Sequence, residues 1–293
     1  MGNTAKIAMV VSDLDGTLIL PGDRISDKFL DVRRQLDNAG ILFTLATGRG
    51  WFNTRELARR LNVSLPVVVQ SGALIIEPAS GEIIASYCIP PAVSEVLWQF
   101  KAKACDAFLL DLDGIYNTEG VLHPEGIKLL NYLDKQCRIV SRHWTVPAKG
   151  TVKHLFVGDR AEILTVSRRV KAIYPEGRQI LWPGTKGSGW YLEIFAPEAT
   201  KAAAVGFIAG RLGIPMEQVM AFGDADNDRE LITAVGWGCA VKDAPRELRR
   251  LARLVIPGPR ADGVAKTLER VVFGKEEERR WKRLFSIFTP TRF

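Results

Sequence analysis

Apolar residues in this chain fall in short, strand-sized runs separated by segments with the spacing of amphipathic helices. Residues 8–12 read as a buried strand. Ser26 is a good N-cap for a helix that Gly40 would end. Residues 41–46 form the next predicted strand, 51–61 the next helix and 67–69 a third strand. This βαβαβ order predicts a parallel sheet covered on both faces.

The pattern then changes. Residues 73–77 and 82–87 flank Pro78-Ala79-Ser80-Gly81, which reads as a turn between paired strands. From about 88 to 188 the strands are shorter, helices are predicted at 92–102, 124–136 and 161–174, and loops at 147–150 and 183–189. The α/β rhythm resumes with a strand at 190–195 and a helix at 200–212. A strand at 218–222, a helix at 226–235, a strand at 238–241 and helices at 244–252 and 261–272 follow. The expected class is α/β: a doubly wound parallel-sheet core (1–86 and 189–274), an inserted α/β cap (87–188) and a basic, aromatic tail (275–293).

Length and composition agree with this organisation. A chain of 293 residues suits about two domains, and 47% hydrophobic with 25% charged residues is the balance of a soluble globular protein. No apolar run approaches the ~20 residues of a membrane span, and the first residues lack the build of a signal peptide. Cys88, Cys105, Cys137 and Cys239 are scattered, so neither a disulfide scaffold nor a zinc site is expected and a reducing cytoplasm is the simplest compartment. The net charge of +7 favours acidic partners without choosing among them. His123, His143 and His154 share no ligand spacing.

Four patches stand after predicted strands. They are Asp13-Leu14-Asp15-Gly16-Thr17, Thr47-Gly48-Arg49, Lys201 in the first turn of a helix, and Gly223-Asp224-Ala225-Asp226-Asn227-Asp228. Strand C-termini are where open α/β sheets build their sites. Close carboxylates need a cation, a shared proton or water, and Mg²⁺ takes oxygen ligands from one or two carboxylates. Asp13 and Asp224 can supply them. Thr47 and Gly48 precede a helix and can meet an anion at its N-terminus. Lys201 opposes its helix dipole by ~0.3–1 kcal/mol, which a bound anion would offset. A calcium loop at 223–228 is rejected, because Arg229 stands where glycine is needed and Val235 where the bidentate Glu is needed.

In this order the patches resemble the four motifs of the haloacid dehalogenase-like (HAD) phosphatase superfamily, and within it the Cof-type branch with a large α/β cap. The resemblance covers about residues 6–273, with Ser71-Gly72-Ala73 and Asp262-Gly263-Val264 adding to it. It implies that Asp13 is the nucleophile that forms an aspartyl-phosphate, and that Asp15 protonates the leaving alcohol and then activates water. It implies Mg²⁺ held by Asp13, the backbone carbonyl of Asp15 and Asp224, with Asp228 directly or through water. Thr47, Gly48, Lys201 and Asn227 would bind the phosphate oxygens. Ala202 departs from a frequent glycine, and Gln70-Ser71-Gly72 from a common Asn-Gly.

The expected activity is hydrolysis of a small phosphorylated metabolite, a sugar phosphate or a phosphorylated cofactor precursor. A sugar phosphomutase and a non-catalytic phospho-ligand binding protein are the alternatives, no nucleic-acid partner is expected, and oligomeric state is left open. Phe108-Leu109-Leu110-Asp111-Leu112-Asp113-Gly114 repeats the opening pattern, but Ile115 and Tyr116 replace the Thr-Leu pair and no second set of patches follows. It reads as a strand and turn. Lys186 reads as a solvated loop residue and the 275–293 tail as a helix end packing on the core.

Overall fold

The computed structural model describes residues 6–100, 105–118, 120–134, 139–141, 146–184 and 189–274. Cys137, His143, Lys186 and the tail from 275 onward lie outside the described residues. Two compact units are formed: Met1–Ala46 with Arg60–Leu65 and Ile208–Phe293, and Thr47–Arg59 with Pro66–Phe207.

The first unit holds a parallel sheet of β1 (Met9–Ser12), β2 (Leu42–Leu45), β12 (Val219–Gly223), β13 (Trp237–Val241) and β14 (Leu254–Ile256). Its spatial order is β14-β13-β12-β1-β2. Every residue of β1 and β12 is buried, as expected of strands covered on both faces, and this is why they read as unbroken apolar runs. Helix α1 (Asp27–Asn38) starts where its cap predicts: the Ser26 hydroxyl accepts from Phe29 N at 3.2 Å. Such a cap contributes about 1 kcal/mol. Helix α9 (Gly263–Val271) packs against α1. From β1 the chain steps to β2 on one side, and β12 joins β1 on the other. The boundary between β1 and β12 is thus a topological switch point, where loops diverge and leave a crevice.

The second unit contains two sheets. The smaller is antiparallel: β3 (Val67–Val69), β4 (Leu74–Ile76) and β5 (Ile83–Ser86). The larger has the order β10-β11-β9-β6-β7-β8, from β6 (Cys105–Leu110), β7 (Tyr116–Thr118), β8 (Ile139–Ser141), β9 (Lys153–Gly158), β10 (Arg178–Pro183) and β11 (Trp190–Phe195). Helices α2 (Trp51–Arg60), α3 (Pro91–Trp98), α4 (Pro124–Asp134), α5 (Arg160–Ile173) and α6 (Lys201–Arg211) alternate with these strands, and α7 (Arg229–Ala234) and α8 (Arg246–Leu251) with the last strands of the parallel sheet. One face of the large sheet contributes Phe156, Leu192 and Ile194 to a core shared with Leu97, Ile163 and Val166. Alternation along the strands sends Lys153, Leu155, Tyr191 and Glu193 to the other face.

Three strand expectations need correction. Residues 67–69 do form a strand, but it pairs antiparallel with β4 and is not a third member of the parallel sheet. Residues 190–195 do not resume that sheet; they pair antiparallel with β9 and β10. The reason is visible in Tyr191-Leu192-Glu193-Ile194, whose alternation suits a strand buried differently on its two faces. Strand β14 was not expected, being three residues long with Val255 half exposed. Among the described residues no helix is long and apolar enough to cross a membrane.

Candidate active site

In the first unit, Asp13 leaves the end of β1 with its backbone N–H bonded to Phe222 O at 3.0 Å, one residue beyond the strand ladder. That bond fixes Asp13 beside β12, whose last residue precedes Asp224. Asp13, Asp224 and Asp228 each place a carboxylate oxygen within 4.8 Å of the others. Asp13 is 6% exposed and Asp228 fully buried, whereas Asp15 is exposed to solvent. Three carboxylates at this separation repel one another, and hard oxygen donors so grouped suit a divalent cation.

Neighbouring groups hold the carboxylates. Thr17 Oγ1 donates to Asp224 Oδ1 at 3.0 Å. Asp228 Oδ2 accepts from the backbone N–H groups of Asp224 (3.0 Å) and Ala225 (3.1 Å). Gly16 makes the approach possible: its φ is 72°, and a Cβ there would lie 2.3 Å from Asp224 Oδ2. Only glycine meets both demands at low cost. Asn227 lies in the same short turn (residues 226–228), and its buried Oδ1 has no hydrogen-bond partner. Such an orphan acceptor is uncommon in a folded protein and marks a polar site still short of a donor.

In the second unit, the segment after β2 is tied to the segment after β3. Thr47 N donates to Val68 O (2.9 Å), Ser71 N to Thr47 O (3.0 Å) and Gln70 N to Arg49 O (2.9 Å). Arg49 N donates to Thr47 Oγ1 at 3.2 Å. Thr47 is buried and Gly48 exposed. Gln70 and Ser71 both adopt positive φ (51° and 55°), a conformation that costs a side-chain-bearing residue about 1–2 kcal/mol. This gives the departure from Asn-Gly a physical content. Gly72 follows with φ 102°, and a Cβ on it would stand 2.2 Å from Thr200 C and 2.7 Å from Lys201 N. The start of α6 is therefore seated against Gly72. Arg178 adds a strap, with Nη1 bonded to the carbonyls of Ala199 and Ser71. Lys201 is buried, 1% exposed.

Thus Asp13, Asp224 and Asp228 form one cluster, and Thr47, Gly48 and Lys201 belong to a second region built around Gly72. The expectation that Lys201 follows a strand of the parallel sheet is corrected by the placement of β11. Sequence reading assigned no role to Gly16, Thr17, Gly72 or Arg178. The first two lie inside the quoted motif and the third inside Ser71-Gly72-Ala73; Arg178 carried no sequence signal.

The second Asp-Leu-Asp-Gly is a turn. Asp111 Oδ1 accepts from Ile115 N (2.9 Å) and Oδ2 from Asn117 Nδ2 (3.2 Å), closing the hairpin between β6 and β7. Both ring nitrogens of His123 are engaged within the second unit: Nδ1 accepts from Glu125 N at 3.2 Å and Nε2 stands 3.4 Å from Asp159 Oδ1.

A model of the haloacid dehalogenase-like hydrolase family matches residues 10–268. The HMP-PP phosphatase of Enterobacter sp. (strain 638) is 25% identical over 255 residues, covering 84% of this chain and 88% of its own. The HMP-PP phosphatase of Escherichia coli (strain K12) is 25% identical over 238 residues, covering 81% and 85%. Among solved structures, a haloacid dehalogenase-like hydrolase from Bacteroides thetaiotaomicron superposes with a TM-score of 0.75 at 25% identity, covering 91% of this chain and 100% of that one. A HAD subclass IIB sugar phosphatase shares the fold with a TM-score of 0.71 at 20% identity, over 91% of this chain and 98% of its own. The chain belongs to the haloacid dehalogenase-like hydrolase family.

Proposed function

We propose that the chain is a Mg²⁺-dependent phosphatase that hydrolyses a small phosphomonoester, a sugar phosphate or phosphorylated cofactor precursor, through an aspartyl-phosphate. The observation that carries this reading is the grouping of Asp13, Asp224 and Asp228 at the switch point of the parallel sheet. The donor set fits a hard cation: Asp13, Asp224, Asp228 and the backbone carbonyl of Asp15 would hold Mg²⁺. When bound, the ion neutralises charge on the phosphoryl group and its carboxylate neighbours.

The chain's own residues divide the work. The Asp13 carboxylate attacks phosphorus and the ester P–O bond breaks. Asp15 gives its proton to the departing alkoxide. Asp15, now ionised, takes a proton from water, whose oxygen attacks the acyl phosphate. Inorganic phosphate leaves, and Asp13 is a carboxylate again. A carboxylate nucleophile divides one difficult displacement into two. The exposure of Asp15 supports a role in proton exchange, and the burial of Asp13 a role in directed attack. Thr47, the Gly48 backbone, Lys201 and Asn227 are proposed to hold the phosphate oxygens, since phosphoryl transfer depends chiefly on positioning and charge neutralisation.

Residues 87–188 are proposed as the inserted cap, with β11 joined to them by sheet pairing. A reducing cytoplasm is proposed as the compartment. Burial pushes the thiols of Cys105 and Cys239 up to about 12, as for inert core cysteines.

The test is phosphate release from a panel of phosphomonoesters with Mg²⁺ and with excess chelator. Release that requires the ion and vanishes in Asp13→Asn is expected. A mutase would instead return an isomeric phosphate ester, and a binding protein would release nothing.

A further inference from the structure

Arg178 stands at the first position of β10, opposite Phe195, the last position of β11. Beyond Phe195 the chain turns through residues 196–200 and enters α6, whose first residue is Lys201. The Arg178 side chain reaches across this turn. Its Nη1 donates to the carbonyl of Ala199, two residues before Lys201, and at the longer distance of 3.5 Å to the carbonyl of Ser71. One guanidinium thus bridges two segments that are far apart in the chain.

Both acceptors belong to buried residues, Ala199 at 0% and Ser71 at 2% exposure. A buried backbone carbonyl needs a donor. The guanidinium presents its N–H groups in a rigid, planar fork and stays charged, so it can serve two carbonyls that diverge from one point. A lysine ammonium gathers its donors on a single nitrogen and cannot reproduce that fork.

Each bridged segment carries a part of the proposed phosphate cradle. Ser71 N donates to Thr47 O at 3.0 Å, so Ser71 is held at its amide by the Thr47 segment and at its carbonyl by Arg178. Its φ of 55° follows the 51° of Gln70. Two side-chain-bearing residues in this region persist only where their surroundings over-determine them, and such strain gathers at functional sites. On the other side, Ala199 N donates to Ala196 O at 3.1 Å, and the Thr200 hydroxyl accepts from Ala203 N at 2.9 Å as the cap of α6. The contacts therefore run in sequence from Thr47 through Ser71 and Arg178 to Ala199 and the helix that Lys201 begins.

Resting on the phosphatase reading, in which Thr47, Gly48 and Lys201 hold the phosphate oxygens, we infer that Arg178 is a positioning residue for the reaction. It fixes the spacing between the Thr47–Gly48 segment and Lys201, and it acts through backbone carbonyls, not on the phosphate. Phosphoryl transfer depends chiefly on positioning, and a displacement of about 1 Å by a change away from the chemistry can cost about 10²-fold in rate. A cradle of the wrong width holds the ground-state ester almost as well, since oxygen contacts can adjust one at a time. It fails when all of them must be met together in the transition state. The loss therefore falls on kcat and leaves KM near its original value.

The test uses the full chain with Mg²⁺, p-nitrophenyl phosphate as substrate and orthovanadate as inhibitor. Vanadate mimics the five-coordinate phosphoryl group, and such analogues report transition-state binding. In Arg178→Met, kcat should fall about 30–100-fold with KM within about threefold, and the vanadate Ki should rise at least about tenfold. Arg178→Lys should regain at least about fivefold of the lost kcat, because one carbonyl can still be met. Thermal melts identify the folded variants. Should Arg178→Met fail to fold, Arg178→Lys and Arg178→Gln carry the same two readouts. An unchanged kcat in the folded variants overturns the proposal. So does a lower kcat with an unchanged vanadate Ki, which marks a smaller active fraction and hence a merely structural role. A rise in KM and in the Ki of inorganic phosphate that matches the loss in kcat/KM also overturns it, since Arg178 would then touch the phosphate itself. If the unaltered chain releases no phosphate from any ester, the phosphatase reading fails and takes this one with it.

Discussion

The chain spells Asp-Leu-Asp-Gly twice, at 13–16 and at 111–114, and the two copies do opposite things. Both glycines have left-handed φ, 72° at Gly16 and 75° at Gly114. The local bend is therefore similar. What differs is what lies next to it. The first copy leaves a buried parallel strand at the switch point, with Asp224 packed where a side chain on Gly16 would be. The second ends an antiparallel strand whose neighbour returns at once, and nothing lies within 4 Å of a Cβ on Gly114. Asp111 spends its oxygens on its own hairpin. A motif thus specifies a turn, and only the tertiary surroundings determine whether that turn gathers charge.

The largest effect should separate the first aspartates. Asp13→Asn is expected to lower kcat/KM about 10³-fold or more, a loss of about 4 kcal/mol in transition-state stabilisation. Asp111→Asn should stay within about twofold, being outside any site; the measure is steady-state phosphate release. Comparable losses in both would collapse the distinction. Next come the glycines. Gly16→Ala should raise the Mg²⁺ concentration for half-maximal activity about 10–100-fold by displacing Asp224. Gly114→Ala should cost only about 1 kcal/mol of stability from its φ, read by thermal melting.

The strand beside the second copy answers to pH through stability. His154, opposite Leu109 of β6, is fully buried with neither ring nitrogen partnered. Burial lowers its pKa to about 3. The unfolded chain binds a proton there below pH 6.5 while the folded chain stays neutral, so stability falls as pH drops from 6.5 toward 3 and is unaffected above 6.5. At pH 5 this amounts to about 2 kcal/mol. His154→Phe should reduce the difference between urea melts at pH 7 and pH 5 by about that amount. The smallest effects concern single hydrogen bonds. Thr17→Val should weaken Mg²⁺ activation about tenfold through Asp224, whereas Asn117→Ala should cost about 0.5 kcal/mol of stability and no activity.

Where burial on both faces dictated composition, the fold was legible. Strands β1, β2, β12 and β13 are apolar runs, and each was expected within two residues of its bounds. Legibility failed where partners, not propensity, decide. Val67-Val68-Val69 suits any strand, and only its pairing with β4 removes it from the parallel sheet. The carboxylate cluster could be read because Asp13 and Asp224 each follow a recognisable run. The left-handed Gln70 and Ser71 could not, since neither residue type advertises positive φ. Nor could the ion pair between β9 and β11, whose Lys153 and Glu193 lie far apart in the chain. A faint trace existed in the lone Lys153 and Glu193 within otherwise apolar strands, positions at which a charge demands a partner.

The pairing of β1 with β12 also sets a timetable. Met9 is registered with Val219, and Asp13 waits on Phe222 for its backbone bond. At ribosomal speeds of about 5–20 residues per second, roughly 10–40 s separate synthesis of the two strands. During that interval the nascent chain has one aspartate of the cluster and none of its companions. Non-local pairing of this kind is intrinsically slow to form. Capacity to bind the metal should therefore arrive last in the life of the new polypeptide, long after its first strand has left the ribosome.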